Sequence, residues 1–199
     1  METNIIVAGV GGQGSILVSH IIAKAAILEH GDKYNVRVGE TFGAAQRGGA
    51  VASHVRIGED VYGPLVCRGE ADMILALEPL EGLRLGIPYL SDRGIAILNT
   101  TRQIPVDVKV GLATYPDFEE IAGALGKVCK KVVAIDGAAL ASEAGSVKAL
   151  SVVMLGAASA SGLLPFSTET VLQAIKSRVP EKTIDINVKA FQLGREAYA

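Results

Sequence analysis

The sequence has no tryptophan, two cysteines and three histidines, and aromatic residues fill only 5% of its 199 positions. Each scarcity closes a class of function. Cys67 and Cys129 stand far apart and outside any Cys-x-x-Cys pair. That excludes a disulfide framework, a zinc knuckle and a four-cysteine iron–sulfur site built from this chain alone. His20, His30 and His54 lack metal-ligand spacing, and no Gly-x-Ser-x-Gly elbow marks a hydrolase. Charge of one sign is also missing: 19 Lys and Arg face 21 Asp and Glu, for a net charge of −2. Without a basic field, neither nucleic acid nor an anionic membrane is an expected partner. The opening Met1-Glu2-Thr3-Asn4 has no basic n-region, so a cytoplasmic, reducing setting is expected. One uncharged stretch, Ala149 to Thr168, is long enough to span a bilayer. Ser151, Gly156, Ser159, Ser161, Gly162 and Pro165 interrupt it, and a buried helix is the expected form.

What is present is an ordinary globular balance, 49% hydrophobic and 20% charged, enough for a sizeable core. Asn4 to Gly9 reads as a buried strand, followed by a helix over Gly14 to Glu29 with Ile16, Leu17, Ile21, Ala25 and Leu28 on its apolar face. Gly31 is placed to end that helix. Tyr34 to Gly39, Ala50 to Ile57, Asp72 to Leu77, Gly94 to Asn99 and Lys131 to Asp136 read as further strands. A short helix fits Pro79 to Leu85, and another fits Asp117 to Val128 with Asp117 and Glu120 as a capping box. Beyond residue 137 the strands stop, and Ser146 to Gly162, Thr168 to Arg178 and Ile184 to Tyr198 are helical. The expectation is a single α/β domain over 1–199, Rossmann-like and three-layered. Its mostly parallel sheet lies within about 1–136, with a helical C-terminal third after it.

Gly9-Val10-Gly11-Gly12-Gln13-Gly14 fits Gly-x-Gly-x-x-Gly between the first strand and the first helix. Glycines there permit a tight turn, and the helix amino end favours an anion. The plainer alternative is close packing of helix on sheet. A dinucleotide site also needs an acid at the end of the second strand, and Glu40 is the candidate. Yet Gln46-Arg47-Gly48-Gly49 and then a strand follow Glu40, with no crossover helix between.

The stretch from Gly39 to Arg56 is more specific. Gly11-Gly12-Gln13-Gly14, then Glu40, Gly43, Arg47-Gly48-Gly49 and Val55-Arg56, resemble the γ-domain family of 2-oxoacid:ferredoxin oxidoreductases. Ala45-Gln46, Glu70-Ala71-Asp72, Ala76-Leu77-Glu78-Pro79, Leu98-Asn99-Thr100, Met154 to Ala157 and Asn187 to Phe191 are similar to its indolepyruvate branch. The resemblance covers essentially the whole chain.

The resemblance implies an accessory subunit that holds no cofactor of its own. A large α subunit would carry thiamine diphosphate, Mg2+ and [4Fe-4S] clusters. The complex would convert aryl pyruvates such as indolepyruvate, with coenzyme A, to arylacetyl-CoA, carbon dioxide and reduced ferredoxin. Gly11, Gly12, Gln13, Gly14, Glu40, Arg47, Gly48 and Gly49 would then form the surface near the active-site mouth and the coenzyme A path. Arg47 could pair with a carboxylate or phosphate, or fix its loop against Glu40. Two alternatives stay open at this stage: an autonomous NAD(P)-binding oxidoreductase and a non-catalytic nucleotide-sensing module. Of the remaining residues, His20 reads as packed or surface-exposed, His54 as a possible partner contact and Cys67 as a small buried hydrophobe. Glu78 and Glu81 read as acids complementing a helix dipole.

Overall fold

The computed structural model describes residues 2–42 and 49–198. The first strand, β1 (Glu2–Val10), is buried from Thr3 onward, and a glycine turn leads from it into α1 (Ser15–His30). α1 stops where Gly31 adopts φ 56° and returns its N–H to the Ile27 carbonyl. β2 (Asn35–Phe42) and β3 (Ala50–Gly58) pair antiparallel. Next come β4 (Ala71–Ala76), α2 (Pro79–Tyr89) and β5 (Leu90–Asn99). A short α3 (Val106–Lys109) and α4 (Phe118–Leu125) precede β6 (Lys131–Ile135). The rest is helical: α5 (Gly137–Ala144), α6 (Leu150–Ala160), α7 (Thr168–Arg178) and α8 (Ile184–Ala197).

The sheet order is β2-β3-β1-β4-β5-β6. β1, β4, β5 and β6 are parallel, while β3 runs against both of its neighbours. The mostly parallel α/β sheet and the helical C-terminal third therefore hold, with one reversed strand. Helices cover both faces, which is why the central strands are apolar without alternation. Ile5, Val7, Val55, Met73, Leu75 and Ile97 face α1 and α5 to α8. Ile6, Ala8, Ile74, Ala76, Ala96 and Leu98 face the opposite layer of α2 and α4.

Local chemistry sets the helix ends. Asp117 and Glu120 form the expected capping box on α4. Ser167 accepts from the Thr170 N–H at 3.2 Å to start α7. α5, which the sequence pattern did not suggest, is capped by Asp136 at Ala139 and ended by Gly145 at φ 113°. The 146–162 stretch opens as a 3-10 turn, because the Ser146 hydroxyl accepts from Lys148 N–H at 3.3 Å. α6 is buried as expected. It crosses α8 so closely that a Cβ on Gly156 would lie 2.1 Å from the Phe191 carbonyl oxygen, and one on Gly194 would lie 1.8 Å from that of Val153.

Two placements differ from the sequence reading. The buried face of α1 is Val18, Ile21, Ile22, Ala25 and Ala26, whereas Ile16 and Leu28 are exposed. α1 is apolar round most of its circumference, so spacing alone selected too wide a stripe. Cys67 is exposed, in the loop between β3 and β4, and is not part of the core. Among the described residues, no helix is long and apolar enough to cross a membrane.

Candidate functional site

The carboxyl ends of β1 and β4 diverge: β1 feeds α1 on one face of the sheet, and β4 feeds α2 on the other. In open α/β sheets such a divergence opens a crevice at the strand ends, where ligands bind. The glycine turn forms one wall. Gly12 and Gly14 take φ 104° and 94°, a region that L side chains rarely enter. Gln13 closes the turn on itself: its side-chain oxygen accepts from Val10 N–H at 2.8 Å, and its own N–H donates to the Val10 carbonyl at 3.0 Å. Its amide is therefore a strut of the turn. Gly11 N–H donates to the Gly49 carbonyl at 2.9 Å, so the far end of the β2–β3 connection is pinned to the turn.

Beyond the turn, α1 begins without a side-chain cap, and its first intrahelical bond runs from Val18 N–H to the Gly14 carbonyl at 3.0 Å. The preceding N–H groups of Ser15, Ile16 and Leu17 have no helical acceptor, and they carry the positive end of the dipole. Beside this helix start lies a cavity of about 430 Å³ lined by Val10, Gly12, Ser15, Ile16, Phe42 and Val51 among others. The cavity thus joins the partly positive end of a helix to an apolar wall. The Ser15 hydroxyl is buried, and among the described residues it has no hydrogen-bond partner. Sequence reasoning passed over Ser15. Its signal was the first position of an uncapped helix after a glycine turn.

Of the residues singled out from the sequence, Gly11, Gly12, Gln13, Gly14 and Gly49 come together here. Arg47 and Gly48 lie outside the described residues. Glu40 does not join the turn. Its register partner is Ser53, which pairs with Val7, so β3 stands between Glu40 and β1. Two strand spacings separate them, about 10 Å. The Glu40 carboxylate instead lies 3.4 Å from His20 Nε2, while His20 Nδ1 accepts from Arg178 at 2.8 Å. A dinucleotide crossover needs the ribose-binding acid on the strand beside β1, and β3 occupies that place. The autonomous NAD(P)-binding reading loses its geometry on that ground.

On the α2 side of the crevice lies a second cavity, of about 320 Å³, lined by Val10, Glu81, Arg84, Gln103, Val106 and Lys109 among others. Glu78 does more than complement a dipole. Only 1% exposed, it accepts from Glu81 N–H at 3.0 Å, from Gln103 N–H at 3.2 Å and from the Tyr115 hydroxyl. Burial, with this carboxylate as partner, pushes the Tyr115 phenol well above its usual range. His54 is not a partner contact: it is buried against Tyr89 and accepts from Val66 N–H at 3.3 Å, and burial lowers its pKa.

Glu81 bonds to Arg84 at 2.8 Å, yet burial outweighs that cation and raises its pKa above the ordinary 4.5. As pH rises above 4.5, the unfolded chain sheds this proton before the folded one does, so stability falls through the window up to the raised value. Below that window both states hold the proton and the loss is absent. Glu81→Gln is expected to flatten this decline in denaturant-unfolding free energy between pH 4.5 and neutrality. An unchanged pH slope would overturn the assignment.

Neither cysteine suits a cluster. Cys129 donates to the Lys131 carbonyl at 3.4 Å, and burial pushes its thiol up, away from the thiolate that iron requires. Among the described residues, no three His, Cys, Asp or Glu side chains are placed to hold a metal ion.

Comparison with known proteins adds the family context. The model of the pyruvate ferredoxin/flavodoxin oxidoreductase family matches residues 4–197. A Pyrococcus horikoshii protein named indolepyruvate oxidoreductase subunit IorB is 45% identical over 197 residues, covering 98% of this chain and 96% of that one. An Archaeoglobus fulgidus protein of the same name is 44% identical over 194 residues, covering 98% and 94%. Among solved structures, the γ subunit of a keto/oxoacid ferredoxin oxidoreductase from Geobacter sulfurreducens superposes with TM-score 0.71 at 27% identity, covering 98% of both chains.

Proposed function

Because the chain belongs to the pyruvate ferredoxin/flavodoxin oxidoreductase family, we propose that it is the small subunit of an indolepyruvate:ferredoxin oxidoreductase. The observation that carries this reading is the 45% identity that runs through 98% of the chain to a relative named for that enzyme. In the proposed reaction an aryl 2-oxoacid loses carbon dioxide. The acyl group passes to the coenzyme A thiol, and an electron pair leaves to ferredoxin one electron at a time. Thiamine diphosphate, Mg2+ and the [4Fe-4S] clusters belong to a large partner subunit in this reading. The donor set here supports that division, since two cysteines in separate loops cannot complete a four-thiolate cluster.

The small subunit's own contribution is the carboxyl edge of its sheet. The glycine turn and the start of α1 form a rigid, positively polarised surface at the crevice between β1 and β4. That is where a co-substrate carrying anionic groups would be oriented. Water exclusion falls to the apolar wall of Val10, Ile16, Phe42 and Val51 beside it.

The test is anoxic affinity purification of the tagged chain from its own cells. A brown complex with one large cluster-bearing subunit is expected, reducing ferredoxin in the presence of indolepyruvate and coenzyme A. A colourless lone chain would overturn the reading. A brown complex that oxidised only aliphatic oxoacids would overturn the aryl assignment.

A further inference from the structure

We propose that the recess between α1 and α7, on the outer side of α1, is a binding site for a phosphate monoester. The inference goes beyond the functional reading and does not depend on it. The recess has a volume of about 490 Å³ and is lined by His20, Ala23, Lys24 and Ile27 of α1 and by Ser177 and Arg178 of α7. It shares no lining residue with either cavity of the crevice.

Basic side chains from two helices converge there, and one of them is held in position. Arg178 lies 2.8 Å from His20 Nδ1. A guanidinium only donates, so that nitrogen accepts and the ring proton sits on Nε2. Nε2 in turn faces the Glu40 carboxylate at 3.4 Å. Glu40, which takes no part in the glycine turn, thus orients His20, and His20 orients the guanidinium. Among the described residues Arg178 makes no other side-chain hydrogen bond, and neither it nor Lys24 forms an ion pair. Its remaining N–H groups are therefore available to a ligand.

The partly negative carboxyl end of α7 lies beside the recess. Lys176 and Arg178 in its last turn already answer it, which leaves the Lys24 ammonium in excess. A guanidinium fork and an ammonium are the donors that recognise phosphate oxygens. A phosphate monoester, with a charge of about −1.5 to −2 at neutral pH, balances both cations. A monocarboxylate leaves one of them unbalanced. Ala23 and Ile27, the latter 50% exposed, give the recess an apolar side. An organic substituent covers that surface, whereas inorganic phosphate does not.

The test titrates phenyl phosphate into the full chain and into the native complex, followed by calorimetry, with phenylacetate and inorganic phosphate for comparison. Phenyl phosphate should bind about tenfold tighter than either. Lys24→Gln and Arg178→Gln should each weaken it about tenfold or more, the loss of a hydrogen bond between charged groups. Lys24 is exposed, so its variant should unfold at the same temperature as the native chain. Arg178→Lys should weaken binding less than Arg178→Gln, because the charge stays and only the fork is lost. Glu40→Leu should also weaken binding, although removing a carboxylate makes the recess more positive. Tighter binding in that variant would overturn the positioning of Arg178 through His20.

Nuclear magnetic resonance locates the ligand. The ring signals of His20 should move as phenyl phosphate is added, while those of His54, packed against Tyr89 on the other face of the sheet, should not. Binding at the glycine turn instead would leave both His20 and the affinity of Lys24→Gln unaffected, and would overturn the site. Equal affinity for phenylacetate and phenyl phosphate would overturn the ligand class. All of these readouts are of binding and none of turnover, so this site and the functional reading fail separately.

Discussion

Gly194→Ala is expected to destabilise the chain by about 3 kcal/mol or more, because the added methyl meets backbone and has nowhere to go. Helix propensity alone predicts the opposite sign, a gain of about 1 kcal/mol for alanine in a helix interior. Packing decides against it. The new Cβ would fall 1.8 Å from the Val153 carbonyl oxygen and 2.7 Å from its carbon, so α6 and α8 must separate along their shared face. Phe191, Ala190, Val153 and Ala157 are fully buried at or beside that crossing, and separation would open gaps around all of them. Gly156→Ala should act alike, since its Cβ meets the Phe191 carbonyl at 2.1 Å. The double variant should cost less than the sum, because once the helices have parted the second methyl finds room. Denaturant unfolding measures all three. A neutral or stabilising Gly194→Ala would mean that the helices pack less closely than described.

Glu78→Ala should be the most damaging substitution at the carboxyl edge, costing about 2–4 kcal/mol by leaving three donors without their acceptor. Those donors belong to different parts of the chain. Glu81 N–H lies in the first turn of α2, while Gln103 N–H and the Tyr115 hydroxyl bracket the segment that carries α3. One carboxylate therefore closes both ends of a surface loop. Losing it should raise amide hydrogen exchange from Gln103 to Tyr115 beyond what the global change explains. Glu78→Gln retains one acceptor oxygen and should cost less, with exchange raised at one end of the loop first. Protection unchanged in the alanine variant would show that the loop is held by other contacts.

The sequence made some of this legible and hid the rest for identifiable reasons. The strand–turn–helix at Gly9 to Gly14 was readable because glycines at fixed offsets have a backbone cause, and Gly12 and Gly14 do adopt positive φ. The Asp117–Glu120 box and the bounds of α7 were readable because caps are local chemistry. Strand order was not. Alternation marks Ala50 to Ile57 as a strand but carries nothing about its neighbours, and its insertion between β1 and β2 is what displaced Glu40 from the site. Glu78 looked like a helix-start acid because two of its three donors are distant in sequence. Ser15 was passed over for a different reason: its place after the glycine turn was readable, but whether its hydroxyl is paired depends on its surroundings.

The place of β1 has a bearing on synthesis at the ribosome. Its apolar run Ile5-Ile6-Val7 lies between β3 and β4, pairing Val7 with Ser53 on one side and Leu75 on the other. β1 is thus an interior strand, translated before either of its partners. At ordinary elongation speeds, the residues separating Val10 from the end of β3 take about 2–10 s to add. Over that interval β1 is without either of the strands that flank it in the sheet. An apolar strand that waits for both partners makes chaperone capture and elongation rate conditions that should affect the yield of folded chain.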